Sequence, residues 1–223
     1  MIETSATASD APEPSCLDAR GVLSDVLELL DAGISRLAAF SGLVAENLTR
    51  GQSRTFLDMG RRLERTQLTS SLLRGTLVFE TRAEGSVLEA LLEIADSAMT
   101  YRRRYLSTLQ AAPVLDLLVA DETNPRSLAF QLVALAESID RLPRDQSLAG
   151  RSAEERLVLA DLTELRLADL EALARADQSG RRTRLEALLK RLEADMPVLS
   201  DVIAASYFSH LQTSRHLSGH GFG

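Results

Sequence analysis

Apolar residues recur at three- and four-residue spacing along most of the chain, beginning at Leu17. This spacing places them on one face of an α-helix, and no segment shows the two-residue alternation of β-branched residues that is typical of a strand. The pattern predicts an all-α fold, an antiparallel bundle of about seven helices joined by short connections. We expect helices from residue 17 to the neighbourhood of Gly51 and then over residues 53–78, 87–109, 113–119, 125–142, 153–176, 180–194 and 197–217.

The two ends of the chain differ from its middle. Residues 1–16 contain Pro, Ser and Thr and offer little apolar surface, so we predict a flexible N-terminal tail there. Residues 17–218 form the predicted helical domain, and residues 219–223 are expected to be a frayed C-terminus. Two helix starts have local signals: Thr49 with Gln52 fits a capping box, and Asn124-Pro125 fits an N-cap followed by the first helical position.

Two charged residues fall inside the apolar arcs of predicted helices when the chain is plotted at about 100° per residue. Glu64 lies within the arc of the second helix, with Arg61 and Arg65 at one edge. Arg102 lies near the middle of the arc of the third helix. Because an unpaired buried charge is strongly unfavourable, we expect Glu64 to pair with an arginine of another helix, with Arg102 as the leading partner.

The predicted pair has two interpretations. It could be an internal salt bridge that fixes the register of the helices, or it could belong to a polar pocket in which the carboxylate and the arginines bind a ligand. If the helical phase is wrong, both residues are exposed instead. The neighbouring Arg103 and Arg104 are expected to be solvated.

Residues 121–127 form a second concentration of polar side chains. Asp121 and Glu122 stand just before a predicted helix, where acidic residues interact favourably with the positive end of the helix dipole. Alternatively, they accept hydrogen bonds from Arg102 or Arg103 and close a network across helices. The candidate polar core or pocket therefore comprises Glu64, Arg65, Arg61, Arg102, Asp121 and Asn124.

The charge balance narrows the choice of partners. The chain has 32 acidic and 25 basic side chains, a net charge of −7 and a pI of about 5.1. We therefore expect no binding to nucleic acid or to anionic membranes, which require a basic surface. No stretch approaches the roughly 18 apolar residues of a membrane span. The first residues lack the pattern of a signal peptide, and the single cysteine, Cys16, cannot form an internal disulfide, so the predicted location is the cytoplasm.

Residue types that usually carry catalysis are sparse. Nucleophilic catalysis needs a Ser or Cys beside a base, but Cys16 lies in the predicted tail and the three histidines, His210, His216 and His220, stand near the C-terminus. No Glu precedes a His by three residues, as a di-iron bundle requires, and no phosphate-binding glycine motif is present. We therefore expect no self-sufficient catalytic set, no metal site and no cofactor.

Several segments, taken in order, resemble the bacterial Alpha-E family, an α-helical domain named for its Glu-Arg motif. The similar segments cover most of residues 40–210 and read ENLTRG (46–51), FLDMGRRLER (56–65), AMTYRRRY (98–105), DETNPRS (121–127) and YFSH (207–210). The motif falls on Glu64-Arg65. The family usually has a second, earlier Glu-Arg helix that residues 1–45 lack, so the chain resembles the C-terminal part of the domain.

The resemblance implies which proteins this chain works with. Alpha-E domains occur beside, or fused to, circularly permuted ATP-grasp proteins and transglutaminase-like proteins. It therefore implies a non-catalytic accessory domain in a peptide-synthesis or peptide-modification system, with an ATP-grasp ligase or a transglutaminase-like protein as partner. Two alternatives remain: an enzyme with Glu64 as general base and Arg102 holding a carboxylate or phosphate, and a structural bundle that forms homo-oligomers.

Overall fold

The computed structural model describes residues 16–105, 108–143 and 150–208, with side chains from residue 21 onward. Within these ranges the regular elements are helices, and strand-type pairing is limited to one isolated bridge between Phe79 and Arg181, which confirms the all-α fold. The helices are α1 (Cys16–Asn47), α2 (Gln52–Leu77), α3 (Glu84–Ile94), α4 (Ala98–Tyr105), α5 (Ala111–Leu115), α6 (Leu128–Asp140), α7 (Ala153–Arg166), α8 (Leu170–Ala174) and α9 (Thr183–Phe208), with a π-helical turn at Asp116–Ala120. The predicted tail up to residue 15 and the predicted frayed end lie outside the described residues.

The chain divides into two units, residues 1–50 and residues 51–223. The first unit contains α1, a helix of 32 residues. All ten of its large apolar side chains between residues 22 and 43 are at least 45% exposed: Val22, Leu23, Val26, Leu27, Leu29, Leu30, Ile34, Leu37, Phe40 and Leu43. The first predicted helix is therefore present, and its apolar face is exposed.

The second unit is a bundle built around α2, α6, α7 and α9. Phe56, near the start of α2, packs on Tyr207, near the end of α9, with ring centroids 5.6 Å apart. Farther along α2, Arg74 binds Glu193, which lies earlier in α9. This reversed order shows that the two helices are antiparallel. The core is mainly leucine and includes Leu73, Leu77, Leu132, Leu135, Leu189 and Leu192.

Two of the predicted helices are interrupted. The segment predicted as one helix over residues 87–109 ends at Ile94 and restarts at Ala98, because Asp96 adopts a left-handed backbone with φ of 48°. Residues 153–176 are likewise divided between α7 and α8. In contrast, α9 continues through Pro197, and the buried residues Met196 and Leu199 on either side of the proline keep it against the core.

The predicted helix caps are displaced. Gly51 precedes α2 without a side-chain cap, so the Thr49–Gln52 capping box was wrong. The helix predicted to start at Pro125 begins at Leu128, with Ser127 as its N-cap accepting from the backbone N–H of Phe130 at 3.0 Å. The hydroxyl of Ser127 also donates to the backbone oxygen of Asp121, so one side chain joins the connection to the helix.

Candidate functional site

Asp121 and Asn124 lie together in the connection before α6. Asn124 is buried and donates from Nδ2 to the backbone oxygen of Leu117 at 2.9 Å and to Oγ of Ser97 at 3.3 Å. Its Oδ1 accepts from the backbone N–H of Arg126 at 3.1 Å. With every polar atom occupied, Asn124 ties this connection to the π-helical turn and to the start of α4.

The carboxylate of Asp121 accepts from Arg104 at 2.6 Å and from the backbone N–H of Thr123 at 2.8 Å. Burial acts to raise the pKa of Asp121, but these hydrogen bonds outweigh it and lower the pKa. The partner is therefore neither Arg102 nor Arg103. Arg104 is exposed, as expected, and in addition pairs with Asp121. Glu122 also finds a partner, Arg166, at 2.6 Å.

The predicted pair of Glu64 and Arg102 is wrong. Arg102 is 65% exposed and lies 3.6 Å from the equally solvated Glu89. Glu64 is exposed and has no ion-pair partner in the part of the chain that the structure describes. The break at Asp96 sets a new helical phase for α4, so the wheel drawn through residues 87–109 placed Arg102 wrongly.

The buried stripe of α2 also differs from the predicted arc. Its members are Met59, Thr66, Ser70, Leu73 and Leu77. Glu64 stands five residues after Met59, which at about 100° per residue rotates it by roughly 140°. It therefore points away from the core.

Arg65 lies near three other arginines, Arg61, Arg62 and Arg126, close to the place where α2 and α6 pack together. Arg62, one turn earlier on α2, donates to Oε1 of Gln131 on α6 at 3.0 Å and lies over the ring of Phe130. Arg61 is 3.8 Å from Asp58, with both side chains about half exposed. Arg65 has no acidic partner among the described residues.

Arg65 and Arg126 line one cavity of about 140 Å³. The other lining residues are Thr69 and a set of apolar side chains: Leu72, Leu73, Leu91, Ile94, Ala95 and Leu118. Burial lowers the pKa of the Arg65 guanidinium, and the positive charges of Arg126, Arg62 and Arg61 lower it further. We call this feature the arginine groove.

A second Glu-Arg pair occurs at Glu155-Arg156, at the start of α7. The carboxylate of Glu155 accepts from the backbone N–H of Ser152 at 2.9 Å and completes a capping box with that residue. This pair therefore has a local role in starting a helix, in contrast to the uncompensated cation of Glu64-Arg65.

Sequence reasoning missed Arg182, which is only 3% exposed. Its guanidinium donates to the backbone oxygens of Ala174 at 2.7 Å and Leu77 at 2.9 Å, and to the carboxylate of Glu84. It thus joins the ends of α8 and α2 to the start of α3. Arg182 precedes α9 in a non-helical segment, so plotting helical phases could not reveal it.

A buried acid on α7 was also missed. Asp161 is 1% exposed, and its Oδ1 is 4.0 Å from Arg191. Burial raises the pKa of Asp161 to about 7, and the nearby charge of Asp195 adds to the increase. Here the sequence does hold a signal, because Asp161 is spaced three and four residues from the core residues Val158 and Leu165.

Among the described residues, no three His, Cys, Asp or Glu side chains are grouped so as to hold a metal ion. The three histidines, His210, His216 and His220, lie outside those residues. No helix in the described ranges is long and apolar enough to cross a membrane.

Comparison with known proteins identifies relatives of unknown function. An uncharacterised protein of Mycobacterium bovis is 32% identical over 207 residues, a match that covers 92% of this chain and 23% of that protein. Uncharacterised proteins from two strains of Mycobacterium tuberculosis match to the same extent. The chain therefore spans about a quarter of the length of these curated relatives, and no solved structure matches it.

A family model agrees with the sequence resemblance. The Alpha-E model, described as a predicted alpha-helical domain with a conserved ER motif, matches residues 5–208. This range is nearly the whole chain and includes α1 as well as the bundle of the second unit. The chain belongs to the Alpha-E family.

Proposed function

We propose that this chain acts in the cytoplasm as a non-catalytic helical accessory domain of an ATP-grasp-associated system for peptide synthesis or modification. The observation that carries the proposal is the exposed apolar face of α1. The family resemblance supports an ATP-grasp ligase as the partner that covers this face.

The face is extensive and one-sided. Leu30, Ile34 and Leu37 lie along one stripe of α1, while Glu28, Asp31 and Ser35 occupy the opposite side. At 1.5 Å per residue, a helix of this length extends for about 48 Å. Proteins that remain monomeric rarely expose an apolar surface of this extent, and amphipathic helices commonly bind in the groove of a partner through such a stripe.

The enzymatic alternative receives less support from the site. Its proposed base, Glu64, is exposed on α2, and the arginine groove that includes the adjacent Arg65 does not include Glu64. Its proposed anion ligand, Arg102, is separated from Glu64 and lies beside Glu89 instead. These positions do not bring a base and a substrate-binding cation together.

Co-expression with the circularly permuted ATP-grasp protein of the same genome tests the proposal, with the transglutaminase-like protein in a parallel arm. We expect the chain and the ligase to co-elute as a complex of defined mass in size-exclusion chromatography with light scattering. Leu30→Glu combined with Leu37→Glu should abolish the complex, whereas Ser35→Glu, on the opposite side of α1, should leave it intact.

Two outcomes would contradict this function. One is a chain that never co-elutes with the ligase or that does so equally well with both leucines replaced. The other is a stable homodimer that is broken by the same leucine substitutions and ignores the ligase, which would make a second copy the partner of α1.

A further inference from the structure

The arginine groove combines two features that rarely occur together without a ligand. Arg65 and Arg126 supply two guanidinium groups to the lining, and the buried side chains of Leu73, Leu91 and Leu118 supply apolar surface. The described lining contains no carboxylate. Positive charge is therefore concentrated beside an apolar surface, and among the described residues only Arg126 of the two arginines has an ion-pair partner, Asp96.

The sequence of α2 explains why Arg65 is uncompensated. The positions one turn before it are Arg61 and Arg62, and those one turn after it are Leu68 and Thr69. Residues three and four apart are the neighbours that form ion pairs on a helix surface, and none of these four is acidic. Like charges at Arg61 and Arg65 repel each other instead.

Arg126 is available to share an incoming ligand. Its partner, Asp96, lies 3.1 Å away but is 82% exposed. Ion pairs at exposed positions contribute little, because water and salt screen them. Arg126 can therefore turn toward the cavity at small cost, while Arg62 is held by Gln131 and Phe130 and keeps its place beside the cluster.

We propose that the arginine groove binds a carboxylate carried on a short apolar chain. The planar guanidinium forks of Arg65 and Arg126 match the two oxygens of a carboxylate, and Thr69 offers a further donor. The leucines of the lining accommodate the apolar chain. A phosphate shares the anionic chemistry, but its fully polar surface makes no use of these leucines.

Physical considerations favour this assignment. Burial and the positive charges of Arg126, Arg62 and Arg61 lower the pKa of Arg65, and an anion in the cavity would offset the repulsion among these arginines. The inference does not depend on a partner of α1, since all residues of the groove belong to the second unit.

Titration of the full chain with hexanoate tests the proposal. Isothermal calorimetry and the arginine side-chain signals in heteronuclear NMR spectra report binding and its place. We expect saturable binding of hexanoate that perturbs the Arg65 side chain, no comparable binding of hexanol or hexylammonium, and weaker binding of inorganic phosphate. Hexanol lacks the charge, hexylammonium has the wrong charge, and phosphate lacks the apolar chain.

Variants locate the site. Arg65→Gln and Arg126→Gln should each weaken hexanoate binding by about tenfold, the loss expected for one charge-assisted hydrogen bond. Arg184→Gln changes an exposed arginine at the start of α9 and should leave affinity unchanged. Circular dichroism establishes that each variant is folded. Absence of saturable binding, equal binding by Arg65→Gln, or tighter binding of phosphate than of hexanoate would overturn the proposal.

Discussion

Arg182 and Arg65 flank the same leucine-rich bundle but have opposite surroundings. Arg182 is enclosed by acceptors, two backbone oxygens and the carboxylate of Glu84. Arg65 has three other arginines nearby, and the described residues offer it no carboxylate. The first arrangement holds three helix ends together, whereas the second leaves an exposed cation without an ion-pair partner among the described residues.

The comparison separates two roles that the sequence does not distinguish. A buried charge contributes to a folded structure when its hydrogen bonds are complete, and removal of one partner is costly because the other is left unpaired. An arginine among like charges costs stability, and such costs are typical of binding sites. An arginine whose guanidinium is surrounded by hydrogen-bond acceptors therefore has a structural role, and one that lacks acceptors is a candidate for binding a ligand.

Replacement of Arg182 should have the largest effect. Arg182→Gln removes the cation that Glu84 and two carbonyl oxygens require, and we expect a loss of about 3–5 kcal/mol in the free energy of unfolding. Urea denaturation followed by circular dichroism measures it. Arg184→Gln, two residues later and exposed, should change the same quantity by less than about 0.5 kcal/mol. Equal effects of the two substitutions would contradict the structural role assigned to Arg182.

Asp161 is a buried acid whose charge, like that of Arg65, is poorly compensated. Its folded-state pKa is raised to about 7 by burial and by Asp195, above the ordinary value of 3.8. The folded chain therefore binds more protons than the unfolded chain between these values, and stability falls as the pH rises through that range. The penalty is fully present above the folded pKa.

Asp161→Asn should remove this penalty, because the amide is neutral and can donate to Asp195. At about pH 8 we expect the variant to be more stable than the wild type by about 1–3 kcal/mol, with the gain vanishing toward pH 4. Asp201→Asn, at an exposed position on α9, is the matched control. Thermal melts across the pH range provide the measurement, and a gain that does not depend on pH would contradict the stated cause.

Glu64 should show the smallest effect. It is exposed and unpaired within the described residues, so Glu64→Ala is expected to change the free energy of unfolding by less than about 0.5 kcal/mol. The result would sharpen the contrast with Glu84, which is the acid that does bind a buried arginine. A loss of several kcal/mol in urea denaturation would restore the internal pair that the sequence suggested.

The sequence predicted the helices better than their phases. The second helix was expected over residues 53–78 and runs over Gln52–Leu77, because its apolar periodicity is sustained. The break at Asp96 was not predicted, since an aspartate in a left-handed conformation has no strong sequence signal. The buried stripe of α2 was also not predicted. It includes Thr66, a polar residue that can be buried because its hydroxyl donates to the backbone oxygen of Arg62.

The sequence predicted only those contacts of the candidate site that are local in the chain. Asp121 and Asn124 act through backbone groups close in sequence, and such local chemistry can be read from the residues themselves. The partners of Arg102 and Arg182 depend on how distant segments pack. Arg65 was singled out as one edge of an arc, but only the approach of Arg126 from before α6 shows that its charge is uncompensated.

The central claim is that Arg65 is kept for a ligand rather than for the fold, and unfolding curves of the wild type and Arg65→Gln with and without hexanoate test it most directly. Without hexanoate, the variant should be more stable by about 0.2–0.5 kcal/mol, because a repulsive pair with Arg61 is lost. With hexanoate, the wild type should gain more stability than the variant, since a ligand stabilises the folded state in proportion to how tightly it binds. A variant that is less stable from the outset and responds to hexanoate as the wild type does would contradict the account.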